Sequence, residues 1–304
     1  MQIVEKRVIY IAISVVLILA GIVGMIVNAG MGNGAFSTDV EFSGGTSIEV
    51  SIGKEFENND ITNIVKETTG ENNPQVQKVG DGHSVTIKTK SLSTEVRSKL
   101  QTALSEKYDL KPENFSIQDV SATISSEMVR TSILSVVVAC VFMLIYVSIR
   151  FKDFSMGASA ILALCHDALI VVGSYAVLRI PLSNSFIAAI LTVLGYSINA
   201  TIVIFDRIRE NRTKLGRNNY SALVDTSVKQ TMTRSLFTSL TTFFTVLCLY
   251  IFGVQSVREF VLAIGIICGT YSSIFISGNI WYIISNATSK KKAAANAKPA
   301  KAKK

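Results

Sequence analysis

Six runs of about twenty apolar residues restrict what this chain can fold into, because they fix its solvent. A helix rising about 1.5 Å per residue needs about 20 residues to cross a hydrocarbon core of about 30 Å. The runs Val8 to Val27, Val129 to Ile149, Met156 to Leu178, Ser185 to Phe205, Ser235 to Phe252 and Phe260 to Ile284 all reach that length. With 49% hydrophobic and only 17% charged residues, the chain reads as an integral membrane protein and not as a soluble or disordered one. Cys140, Cys165, Cys248 and Cys268 all fall inside apolar runs, without CxxC or His spacing, so neither a disulfide framework nor a metal site is expected.

Charge sets the expected topology. The net +8 is uneven: residues 28–120 hold nine Lys/Arg against fourteen Asp/Glu, a net of −5, and the rest carries +13. The basic residues cluster in alternate loops. Lys6 and Arg7 precede the first run; Arg150 and Lys152 follow the second; Arg207, Arg209, Arg212, Lys214, Arg217 and Lys229 follow the fourth; seven lysines lie between Lys290 and Lys304. The other side receives Arg179 and Arg258. By the positive-inside rule both termini are cytoplasmic and residues 28–120 lie outside. Basic residues are not interleaved with aromatics, so no specific nucleic-acid partner is expected. The first run also fits a secretory signal ending at Val27-Asn28-Ala29, but it exceeds the roughly 7–15 residues of a signal core, which favours a retained anchor.

The expected organisation is therefore a transmembrane helix over 8–27, an exported α+β domain over 28–120, a five-helix membrane domain over 129–284 and a basic cytoplasmic tail over 285–304. Within the exported part, Val40 to Phe42 and Ser47 to Ile52 read as a hairpin about Ser43-Gly44-Gly45-Thr46. Ile61, Ile64 and Val65 share a helical face in Asp60 to Thr69, Gln75 to Val79 and Ser84 to Lys88 alternate, Ser93 to Tyr108 is again helical, and Phe115 to Val120 alternates. The order is β-α-β-β-α-β, which predicts a ferredoxin-like domain. It holds no catalytic triad, metal cluster or phosphate loop, and His83 beside Gly82 reads as an exposed turn residue.

Polar residues inside the spans are the candidate functional groups, because ionisable side chains in lipid are costly. Asp167 lies near the middle of the third run, next to His166. It is either a titrating gate or a protonated acid in a structural hydrogen bond, and adjacent helix residues point about 100° apart, so His166 need not act with it. In the fourth run Thr192, Gly195, Asn199 and Asp206 fall on one face; Thr192 and Gly195 suit a packing seam. In the fifth, Thr231, Arg234, Thr238, Thr241 and Thr245 form a polar stripe, expected to face a polar interior.

Several motifs in this pattern resemble one family: Glu41-Phe42-Ser43-Gly44-Gly45-Thr46, Ala163-Leu164-Cys165-His166-Asp167, Leu194-Gly195-Tyr196-Ser197-Ile198-Asn199, Ile204-Phe205-Asp206-Arg207-Ile208-Arg209-Glu210-Asn211 and Arg234-Ser235-Leu236-Phe237-Thr238-Ser239-Leu240-Thr241-Thr242. Over residues 1 to about 285 the chain is similar to the SecF subunits of the SecD/SecF complex, within the resistance-nodulation-division superfamily. The resemblance implies a non-enzymatic, cofactor-free subunit of the bacterial cytoplasmic membrane. Its partners would be SecD, a SecY-type translocon, the lipid bilayer and secretory preproteins, which it would assist on the outer side with an ion gradient. It further implies Phe42, Gly44, Gly45, Thr46, Gly195, Asp206, Arg207 and Arg209 as motif residues and Asp167, His166, Asn199 and Arg234 as ion-coupling candidates. Two departures stand out. Glu41 occupies a position usually held by Asp, and Ala200 one commonly held by an intramembrane Asp, so an ion-carrying acid has to come from SecD or, within this chain, from Asp167. The competing readings are half of a small-molecule or lipid exporter of the same superfamily, and an assembly factor without ion coupling.

Overall fold

The computed structural model describes residues 2–32, 34–71, 74–79, 82–216, 219–252 and 260–297; Arg217, Arg258 and the lysines beyond residue 297 lie outside these. The element order is α1 (Arg7–Gly30), α2 (Val40–Ser43), β1 (Gly45–Ser51), α3 (Asn58–Thr69), β2 (Gln75–Val79), β3 (Ser84–Thr89), α4 (Thr94–Tyr108), β4 (Phe115–Val120), α5 (Ala122–Phe151), α6 (Phe154–Leu178), α7 (Asn184–Leu215), α8 (Tyr220–Phe252), α9 (Phe260–Tyr271), a π-helical turn (Ser272–Ser277) and α10 (Gly278–Ala297). Six helices are long and apolar enough to span a bilayer: α1, α5, α6, α7, α8, and the run Ile264–Lys291 formed by α9, the π turn and α10. The chain is a multi-pass membrane protein.

Between α1 and α5 sits one antiparallel sheet in the order β2-β3-β1-β4. That is the ferredoxin-like arrangement the element order predicts. Period-two alternation places Ile48 and Val50 of β1 opposite Ile87 and Val85 of β3, and these pack with Ile61 and Val65 of α3 and Leu100 and Leu104 of α4 in one core.

The opening segment departs from expectation. Val40–Ser43 is a short helix and not the first arm of a hairpin. Asp39 caps it, its carboxylate accepting from the Val40 N–H at 2.6 Å and pairing with Lys88. Glycine signals a break in either structure. Here Gly44 ends the helix at φ 73° and Gly45 enters β1 at φ 145°, where a Cβ would run into the Thr89 carbonyl oxygen.

In the membrane body, α6 and α7 lie between the other spans. Single left-handed residues, Lys152 at φ 51° and Arg179 at φ 55°, end α5 and α6, and Asp153 then caps α6 through the Ser155 N–H at 3.0 Å. α1, α5 and α8 present large apolar side chains outward, among them Val8, Ile26, Phe142, Phe237 and Phe252, as lipid-facing helices do. Helices α1 and α6 touch through glycines: a Cβ on Gly21 would lie 2.7 Å from the Gly173 Cα. At the far end from the sheet, Ile3 and Val4 are buried beside Phe205, Leu223, Val224 and Trp281. Their backbone N–H groups donate to Asp225 at 2.7 and 3.0 Å.

Candidate functional site

Asp167 is wholly buried where α6, α7 and α9 meet. Four side chains point at its carboxylate. Ser197 of α7 and Ser272 of the π turn donate to Oδ2 at 2.5 and 2.7 Å. The Cys268 thiol donates to Oδ1 at 3.4 Å, and His166 Nδ1 lies 2.9 Å from the same oxygen. A hydrogen bond to a charged group contributes about 1.5–3 kcal/mol, so this shell offsets much of the desolvation cost that a bare carboxylate meets in an apolar interior. A second tier continues it: Ser273 donates to the Ser197 carbonyl at 3.1 Å and exchanges a hydrogen bond with Thr201 at 3.0 Å. Ser272 and Ser273 come from the π turn, an irregularity frequent at functional sites.

Although adjacent helix residues diverge, the His166 imidazole bends back to bring Nδ1 within 2.9 Å of the Asp167 carboxylate. The donor atoms of His166, Asp167 and Cys268 lie within 4.8 Å of one another. Their spacing is that of donors around one acceptor, a hydrogen-bonded carboxylate. Ser197, Ser272 and Cys268 were not among the candidates read from sequence. Their signal was available only as Ser197 and Thr201 one helical turn apart and the run Tyr271-Ser272-Ser273, neither unusual in a transmembrane helix.

The other candidates stand elsewhere. Ser197 and Asn199 are two residues apart, about 200° around a helix. Ser197 therefore points inward while Thr192, Gly195 and Asn199 lie on the outer face of α7. The α8 stripe is divided likewise: Thr231 is buried, but Arg234, Thr238, Thr241 and Thr245 are exposed. Apart from Thr231, the stripe is not covered by the chain's own helices. The threonines satisfy themselves locally, Thr238 donating to the Arg234 carbonyl at 2.9 Å and Thr245 to that of Thr241 at 3.0 Å. Arg234 makes no ion pair among the described residues. The two helices are tied by Tyr196, which donates to Ser239 at 2.7 Å, and Thr270 reaches the same hydroxyl from α9 at 2.5 Å.

Residues 99–287 match the family model for the C-terminal part of the protein export membrane proteins SecD and SecF. The protein translocase subunit SecF of Synechocystis is 33% identical over 285 residues, covering 88% of this chain and 89% of the relative. That of Petrotoga mobilis is 34% identical over 296 residues, covering 91% and 93%. This chain belongs to the SecF family. Its fold superposes on the crystal structure of SecDF, a translocon-associated membrane protein from Thermus, with a TM-score of 0.81 and 30% identity. The match covers 94% of this chain and 39% of that one, so a SecF-family chain spans well under half of the solved SecDF protein.

The SecF motif residues lie mostly at junctions. Thr46 donates to Asp119 at 2.6 Å and accepts from the Leu92 N–H at 3.1 Å, tying β1 to β4 and to the approach to α4. Gly44 lies against Val120 and Ala122, where the sheet leads into α5, and Phe42 is half-buried on α2. Glu41 accepts from the Asn184 N–H at 2.6 Å, so the position usually held by Asp places a carboxylate on the first turn of α7. At the other end of α7, Asp206 faces Arg150 and Arg209 at 3.4 Å each. Arg207 pairs with Glu210 at 2.6 Å and donates to Gln230 of α8 at 2.6 Å. Ala200 is half-buried, about 60° around α7 from the inward Ser197, between the buried and the exposed faces.

Proposed function

We propose that this chain is an accessory subunit of Sec-dependent protein export that works with a SecD-type partner and couples an ion gradient to the handling of preproteins on the outer side of the bacterial cytoplasmic membrane. The observation that carries this reading is the polar surface of α7 and α8. Asn199, Arg234, Thr238 and Thr241 face outward on helices that are otherwise apolar there. A guanidinium facing lipid without a counter-charge is costly, and a partner half that brings a carboxylate to this face relieves the cost. The orientation has its own support. Arg150, Arg207, Arg209 and Arg212 gather at the end of the bundle where Ile3 and Val4 dock on α8, and the sheet domain lies at the opposite end. The positive-inside rule assigns that basic end to the cytoplasm.

The test is preprotein translocation into vesicles holding the assembled complex, with and without a proton or sodium gradient. Arg234→Lys keeps the charge without the planar fork and should retain part of the response. Arg234→Met should abolish the response to the gradient more than it lowers co-purification with the partner. A parental response in Arg234→Met makes Arg234 an interfacial anchor and removes the charge pair. A second reading, an assembly factor without ion coupling, is favoured by Ala200, a half-buried methyl group where the family commonly has an acid. Undiminished export in the absence of any gradient distinguishes it.

A further inference from the structure

The hydrogen bonds around Asp167 specify which atom of the buried cluster is free to take up a proton. Each hydroxyl and thiol carries one hydrogen. Among the described residues Ser197 has no other acceptor for its hydroxyl hydrogen, and Cys268 none for its thiol. Both hydrogens therefore point at the carboxylate, and Ser272, with the Gly269 carbonyl at 3.2 Å as an alternative acceptor, makes its shorter contact at 2.7 Å to the same oxygen as Ser197. A protonated Asp167 would have to send its own hydrogen either toward one of these donors or from Oδ1 to His166 Nδ1, and the second choice puts the neutral imidazole's hydrogen on Nε2, where no described residue accepts it. The arrangement fits the ionised carboxylate, and an ionised Oδ1 at 2.9 Å requires His166 Nδ1 to carry hydrogen. The neutral imidazole then has its bare lone pair on Nε2, which is buried and makes no hydrogen bond to a described residue.

We propose that the proton taken up by this cluster binds His166 at Nε2, with Asp167 as the positioning residue that fixes the tautomer and supplies the counter-charge. Uptake forms one N–H bond on His166 and breaks one O–H bond of a hydronium ion, which leaves as water; Nδ1–H keeps its bond to Asp167, and the site passes from a buried anion to a neutral imidazolium–carboxylate pair. The other titratable groups facing it are few. From α9 these are Cys268 and Tyr271, whose ring lies 6.5 Å from the imidazole. From α1 there is Tyr10, whose carbonyl receives the Tyr271 hydroxyl at 2.9 Å. Helix α5 offers Cys140 beside Cys165, α7 and the π turn contribute only hydroxyls, and no Lys, Arg or Glu is bonded to the cluster among the described residues. The inference rests on the proposed coupling to an ion gradient, to which it adds this inward cluster as a site of uptake, and it names the ion as a proton.

The chain has two histidines, so His83→Gln leaves His166 as a single reporter. With nitrogen-15-labelled histidine in the full chain in lipid nanodiscs, the neutral form should show hydrogen on Nδ1 at about pH 9. It should convert to imidazolium as the pH falls toward about 5. In Asp167→Asn the midpoint should fall by about one pH unit or more, because the counter-charge is gone. A neutral form with hydrogen on Nε2 means that Nδ1 accepts from a protonated Asp167, and overturns the assignment. So does an imidazole that never titrates in this range. If Asp167→Asn does not fold, the tautomer of the His83→Gln chain decides alone. Because this readout needs no transport, a titrating His166 in a complex indifferent to gradients sinks the proposed coupling while leaving the site chemistry standing.

Discussion

Replacing Asp167 by Asn is the sharpest perturbation the structure offers, since it changes one atom at the centre of the polar cluster. The amide oxygen can still accept from His166 and Cys268. The new NH2 group faces the two hydroxyls that now donate at 2.5 and 2.7 Å. Ser272 has an alternative, the Gly269 carbonyl at 3.2 Å, whereas Ser197 has no second acceptor among the described residues. The substitution thus loses the charge assistance of the shell and strands one buried hydroxyl hydrogen. At about 1–3 kcal/mol for each, the expected loss is about 2–6 kcal/mol of stability, without rearrangement of the fold. The assay pairs thermal unfolding of the purified chain with gradient-driven export by the assembled complex. Asp167→Asn should lower stability by that amount, leave partner binding intact and suppress the response to the gradient. An Asn variant with parental stability and a parental gradient response would show that Asp167 is a protonated acid in a structural hydrogen bond, and would remove it from the ion pathway.

Three further outcomes follow from contacts. Gly21→Leu forces α1 off α6, because even a Cβ lies 2.7 Å from the Gly173 Cα; thermal unfolding should show a loss of at least about 1–3 kcal/mol, and unchanged stability would mean that the two helices do not pack there. Gly45→Ala meets both a positive φ and the Thr89 carbonyl, so limited proteolysis of the full chain should show about 1–3 kcal/mol of destabilisation confined to the sheet domain, and a parental cleavage rate contradicts it. Glu41→Ala removes the acceptor on the Asn184 N–H; at about 0.5–2 kcal/mol for a lost helix cap, unfolding should be only mildly affected while gradient-stimulated export falls, and full export would show that this link carries no function.

Much of this was legible in sequence, and the boundary between what was and what was not is physical. Span positions follow from length and apolarity alone, and the sheet order follows from element order because few topologies satisfy it. The opening hairpin failed because Gly44 and Gly45 announce a turn of direction without saying what enters it; the Asp39 cap and its Lys88 partner make the entering residues helical. The stripe of Thr231, Arg234, Thr238, Thr241 and Thr245 was visible as a periodicity, but periodicity says only that a face differs from its opposite and not which neighbour covers it. The shell of Asp167 was least legible. Its donors come from three elements, separated from Asp167 by 30, 101 and 105 residues along the chain, and serine and cysteine are too common in transmembrane helices to announce such a meeting.

The two polar sites are set on opposite sides of one helix, and that geometry limits how they can communicate. Asp167 bonds to the inward Ser197, while Asn199 and Arg234 lie outside, so no hydrogen-bond chain joins them directly among the described residues. What they share is α7 itself. Its first turn is held by Glu41 of the sheet domain, its middle by Ser197 on the buried carboxylate and by Tyr196 on α8, and its far end by Arg207 on Gln230. A change of charge at the inner cluster alters what Ser197 and the π turn must satisfy. A small rotation or slide of α7 is the motion that would present that change both to the outer face and to the sheet domain. Such a helix is a two-state element only if both ends of it respond, and the bond from Glu41 to Asn184 is where the response at the sheet end has to pass.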